Sequence, residues 1–137
     1  MQRGDEEALA AGAVASVLSG LPSTLWAAAT RRDPFEATLA AGSLLLPRET
    51  RRPLLYAAAV PVHLTLSLGW ALVLGRVLPR GHELRNGALA GLGIAALDLR
   101  VVGRLFPRVR ALPLAPQIAD HVLYGATVGF VLSRRRG

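Results

Sequence analysis

His63, Asp98 and His121 are the residues of this sequence best suited to chemistry, because each interrupts a run of apolar side chains. A histidine beside a carboxylate can hold and pass a proton near neutral pH, since its unperturbed pKa lies closest to that range. An ionisable group in the middle of a membrane helix costs about 2.5 to 3.5 kcal/mol on insertion scales and therefore normally faces a partner or a cavity. Counting from one common boundary at 1.5 Å per residue puts all three roughly 10 to 14 Å deep. They are expected to form one polar layer facing the interior of a bundle, with Asp98 hydrogen-bonded to at least one histidine and with Ser19 and Ser23 within reach. That layer has two readings, a proton relay or ligand site and a purely structural clasp between helices.

The elements that must position these residues are helices. Apolar residues make up 52% of the 137 positions and mean hydropathy is +0.39, a balance that favours a membrane chain over a soluble domain. Four stretches approach the roughly 20 residues needed to cross a hydrocarbon core, namely 8–29, 54–75, 87–106 and 114–133. The last two are weaker, carrying Asp98, Arg100 and Arg104 in one and Asp120 and His121 in the other. Residues 35–46 are apolar but too short to cross, which predicts an interfacial or re-entrant helix with Asp33 as cap, Pro34 in the first turn and Pro47 as terminator. The expected fold is all-α: a polytopic transmembrane four-helix bundle of two related helical hairpins plus that short helix.

The relation between hairpins comes from a repeat. A shift of 58 positions lays His63 on His121, Ser67 on Gly125, Ala71 on Gly129 and Arg76 on Arg134. In both helices the histidine leads a ridge of small residues at every fourth position, and the other two stretches echo it with Gly12, Ser16 and Gly20 and with Gly87, Gly91 and Ala95. Membrane helices associate through close packing of small residues, so Gly12, Ser16, Gly20, Ser67, Gly91, Gly125 and Gly129 are expected at helix contacts.

The net charge of +7 is carried by 16 arginines and no lysine, clustered at the ends of the apolar stretches rather than along one basic face with interleaved aromatics, which argues against nucleic-acid binding. Eight arginines flank one side and seven the other, so the positive-inside rule gives no orientation. Asp5, Glu6 and Glu7 at the head of the first stretch oppose a cleaved signal peptide. Cysteine is absent, which removes thiolate chemistry and cysteine-held metals. No nucleophile elbow, His-Glu-x-x-His helix or Walker loop is present, so no catalytic residue, metal or cofactor is expected. Two histidines could serve as axial haem ligands, but closely packed slender helices leave little room for a macrocycle.

The segments Gly20-Leu21-Pro22-Ser23-Thr24, Asp33-Pro34 with Ala41-Gly42, and Asp120-His121-Val122-Leu123-Tyr124-Gly125 resemble small four-span bacterial inner-membrane proteins. The resemblance implies a polytopic bundle in that membrane and carries no activity or site residue. The function expected from the sequence is a non-enzymatic accessory or interaction subunit, or a homo-oligomer, of the bacterial inner membrane. The alternatives are a small transporter or channel subunit using the His/Asp layer and, least favoured, an intramembrane enzyme.

Overall fold

Pro22 shapes the start of the fold. It has no N–H to give and its ring presses on the carbonyl four residues back, at Leu18. The computed structural model, which describes residues 1–137, accordingly ends α1 (Arg3–Leu18) there and restarts as α2 (Leu21–Ala29). Arg31, at φ +58°, closes α2 in the left-handed conformation, with the Arg32 N–H donating to the Ala27 carbonyl at 2.8 Å. Downstream lie α3 (Glu36–Leu45), α4 (Arg52–Val77), α5 (Glu83–Leu97), a π-helical turn over Asp98–Val102, α6 (Gly103–Leu105), α7 (Pro107–Arg110) and α8 (Leu114–Arg136). The fold is all-helical, with no strand.

Two helices are long and apolar enough to cross a membrane: Arg3–Ala29, taken through its break, and Arg52–Val77. Both are mostly exposed along their apolar length, whereas a core helix of a soluble protein is mostly buried. The interior is correspondingly poor in large side chains. Ala8, Ala11, Ala15, Ala71 and Ala95 are sealed inside while Val17, Leu25, Val60, Val77, Leu89 and Leu105 stand exposed. Exposed apolar surface of this extent is a feature of membrane-facing and protein-contact surfaces.

The helices stand in a curved row, α3 beside α4, α4 beside α1, α1 beside α8 and α8 beside α5. After the π-turn, α7 reaches α3 and closes the row into a ring. One half of the ring is packed backbone to backbone. A Cβ on Gly87, Gly91, Gly125 or Gly129 would overlap the facing backbone, at Gly125, His121, Gly87 and Glu83 respectively. Gly12 faces Ser67 and Ala71 in α4 as Gly87 faces Gly125 and Gly129 in α8, so positions superposed by the 58-residue shift make corresponding contacts. The same end is tied by Arg76 to Asp5 at 2.7 Å and by Arg136, which donates to the Gly75 carbonyl and lies 3.9 Å from Glu7. In the other half α3 is drawn onto α4. There Gly42 meets the Leu55 backbone, Arg52 pairs with Asp33 at 2.7 Å and the Phe35 ring meets Tyr56 edge-on. Arg52 and the Phe35 N–H hold the Asp33 carboxyl below its usual range, so their contribution is present above that range and is lost as pH falls through the lowered value. Arg51 brings Glu49 in the adjoining loop down to about 2.

Four expectations change. The first and third stretches are not continuous α-helices, being broken by Pro22 and by the π-turn. Gly20 is not a packing residue: it sits in the break and a Cβ there would meet nothing within 4 Å. Ser16 contributes its backbone to the contact, while its hydroxyl turns back to the Ala13 carbonyl at 2.7 Å. Asp33 does not cap α3 directly, because its carboxylate accepts the Phe35 N–H at 2.9 Å in a turn that precedes the helix by one residue.

Candidate functional site

Where the glycine contacts end, the helices part around a cavity of about 670 Å³. Its wall takes in the end of α1, the start of α2, one face each of α3 and α4, the end of α5 with its π-turn, and the first half of α8. The break at Pro22 and the π-turn both lie here. A π-turn interrupts regular α-hydrogen bonding and recurs at functional positions, and this one begins at Asp98.

Asp98 Oδ2 lies 2.9 Å from His121 Nε2, and His121 Nδ1 lies 2.7 Å from the Gln117 carbonyl one turn earlier in α8. A carbonyl can only accept, so Nδ1 carries a hydrogen. The contact with Asp98 then needs a second proton, because a bare imidazole nitrogen would set its lone pair against a carboxylate. Whether drawn as imidazolium with carboxylate or as imidazole with carboxylic acid, the pair holds one exchangeable proton facing the cavity. His63 lines the same cavity but is exposed and bonds elsewhere, its Nε2 donating to the Ser16 carbonyl at 2.8 Å. The layer expected from the sequence therefore resolves into an Asp98–His121 pair and a separate His63.

No family model, curated protein or solved structure matches this chain.

Three groups escaped sequence reasoning. Asp120 Oδ1 accepts the Ser23 backbone N–H at 2.8 Å, capping α2 from across the bundle. Pro22 was the available signal, since a broken helix leaves a first-turn N–H seeking an acceptor. Gln117 is 6% exposed, and its carboxamide bonds to no protein group. No polar side-chain atom is sealed off without a partner, so that carboxamide must reach the cavity space. Tyr124 is buried and donates its hydroxyl to the Ser67 carbonyl, marking the floor where α8 and α4 approach. No cluster of three or more metal-ligating side chains is present.

Asp120→Ala is expected to loosen α2 without unfolding the chain, because losing a cap of this kind costs about 0.5 to 2 kcal/mol. Amide exchange at Ser23, Thr24 and Leu25 should accelerate, while exchange in α4 stays unchanged. Equal acceleration everywhere would mean that Asp120 holds the whole bundle rather than one helix end.

Proposed function

We propose that this chain is a multi-pass protein of the bacterial inner membrane, crossing four times, and that it works as a small proton-linked carrier. Four crossings are supported by the four apolar stretches, by the lipid-like outer surface and by the repeat of contacts between α1–α4 and α5–α8. The observation that carries the carrier reading is the Asp98–His121 pair, which holds an exchangeable proton on the wall of a cavity large enough for a solute. A clasp that served only to join helices would need no such space beside it.

The test is reconstitution in liposomes containing a pH-reporting dye, with a panel of amines, carboxylic acids and neutral solutes added outside. At least one class should change internal pH with wild type and fail to do so with Asp98→Asn. Single cysteines introduced into this cysteine-free chain at Arg31, Arg80, Arg108 and Arg135 should alternate in labelling between the two faces. A flat response to every solute, or labelling that does not alternate, would refute the reading.

The accessory-subunit reading retains one support. Gly69 of α4 and Gly93 of α5 have open space where a Cβ would stand, a place for another helix to seat. Co-purification in mild detergent followed by mass spectrometry separates a subunit from a carrier that acts alone.

A further inference from the structure

The charge of the cavity runs against the charge of the protein. The chain has 16 arginines, yet none lines the cavity, whose wall carries Asp98 and Asp120 instead. Around those carboxylates the wall is mostly apolar, with 18 hydrophobic residues among 30, and the rings of Trp70, Phe106 and Tyr124 contribute, while the Tyr56 ring already carries the Arg52 guanidinium 5.6 Å from its centroid. Carboxylates attract a cation, aromatic faces hold one through their quadrupoles, and apolar walls gain from burying the organic part of a ligand. A second, independent sign of a ligand is that three lining residues are more than nine-tenths buried with side chains bonded to no protein group. These are Ser19 at 7% exposure, Ser67 at 5% and Gln117 at 6%. Their hydroxyls and carboxamide are available to whatever fills the space, whereas a gap that stays empty is lined by apolar atoms.

We infer that the cavity binds an amphipathic organic cation in exchange for the proton of the Asp98–His121 pair. This rests on the carrier reading for its transport aspect but not for binding. The cation pairs with the Asp98 carboxylate, breaking the hydrogen bond to His121 Nε2. His121 is left neutral with its hydrogen on Nδ1, still donated to Gln117, and the shared proton leaves to solvent. One positive charge enters and one leaves, so the charge of the site is unchanged and no oxidant or other reactant is needed. Asp120 keeps one oxygen on the Ser23 N–H and adds its negative charge to the same wall. The titratable groups that line the cavity with the pair are His63 and Tyr56 from α4 and Asp120 and Tyr124 from α8. The segments of α1, α2, α3 and α7 that complete the wall contribute none.

The probe is a pair of ions of matched size and shape but opposite charge, tetraphenylphosphonium and tetraphenylborate, titrated calorimetrically into the full chain in lipid nanodiscs and corrected with empty discs. Tetraphenylphosphonium should bind and release close to one proton per cation where the pair is protonated, as read from buffers of different ionisation enthalpy. Its apparent Kd should rise up to tenfold for each unit fall in pH over that range, because cation and proton compete for one carboxylate. Asp98→Asn, which can keep the hydrogen bond to His121 through its amide, should lose both binding and proton release. Asp98→Glu should restore proton release. Tetraphenylborate should not bind above the empty-disc level. Equal binding of the two ions, binding without proton release, or no binding of the cation would each overturn the inference. Liposome pH changes driven only by acids or neutral solutes would overturn it while leaving the carrier reading intact. Calorimetric binding with no liposome response would instead sink the carrier reading alone.

Discussion

Gly125→Leu and Gly129→Leu should each fail to give a stable bundle in detergent, whereas Leu123→Ala, on the same helix, should lower stability only modestly. A side chain on Gly125 would fall on the Gly87 carbonyl and one on Gly129 on the Glu83 carbonyl. Backbone cannot turn aside as a side-chain tip can, so α5 and α8 would have to separate along their whole contact. Overpacking in cores costs typically about 1 to 3 kcal/mol and occasionally more; here the clash meets backbone on both sides, and a cost at or above the upper end is expected. Gly93→Ala is the control, since nothing lies within 4 Å of the added methyl. It should be neutral or stabilise by up to about 1 kcal/mol through helix propensity. Thermal melting in one detergent reads all four variants. Survival of both leucine variants at the wild-type melting temperature would show that α5 and α8 do not pack as described.

The second large effect is expected where the proton sits. His121→Ala should destabilise the bundle by less than the about 3 to 5 kcal/mol that removing one partner of a fully buried pair costs, because the stranded Asp98 is only half-buried and borders the cavity. Asp98→Asn should cost much less, because its amide can donate to the His121 nitrogen that the shared proton served. The double variant His121→Ala/Asp98→Asn should recover part of what His121→Ala loses, since no carboxylate is then left without its partner. A strict sum of the two single effects would mean that the residues are neighbours without coupling. The contrast also separates structure from function. If the pair only fastens helices, Asp98→Asn should leave any pH-linked response of the protein intact.

The helical class and the small-residue ridges were legible because period and spacing are local properties. Gly12 and Ser16, Gly87 and Gly91, and Gly125 and Gly129 are each spaced by four, and every one of these glycines meets a neighbouring helix. Gly20 continues that spacing yet packs on nothing, because Pro22 breaks the helix before the ridge can continue; the spacing pointed one way and the proline another. His63 matched His121 in register and depth. Depth alone could not reveal that α1 and α8 stand between α4 and α5, leaving Asp98 to pair only with His121. Asp120 was passed over because its partner is a main-chain N–H, which carries no mark in the residue letters. The cavity was beyond reach for a related reason: it arises where two helix irregularities meet across the bundle, a coincidence in space between segments far apart in the chain.

The division of the ring into a half packed through glycine and a half parted around a cavity sets where this protein can change. Substitution is nearly forbidden at Gly87, Gly91, Gly125 and Gly129, where a single carbon atom has no place to go. Around the cavity, an exchange such as Val60 for leucine or Thr38 for serine alters volume beside empty space and leaves the helix contacts alone. Variants selected for a new ligand should therefore accumulate on that wall and spare the glycines, so that the preference of the protein drifts while its scaffold stays fixed.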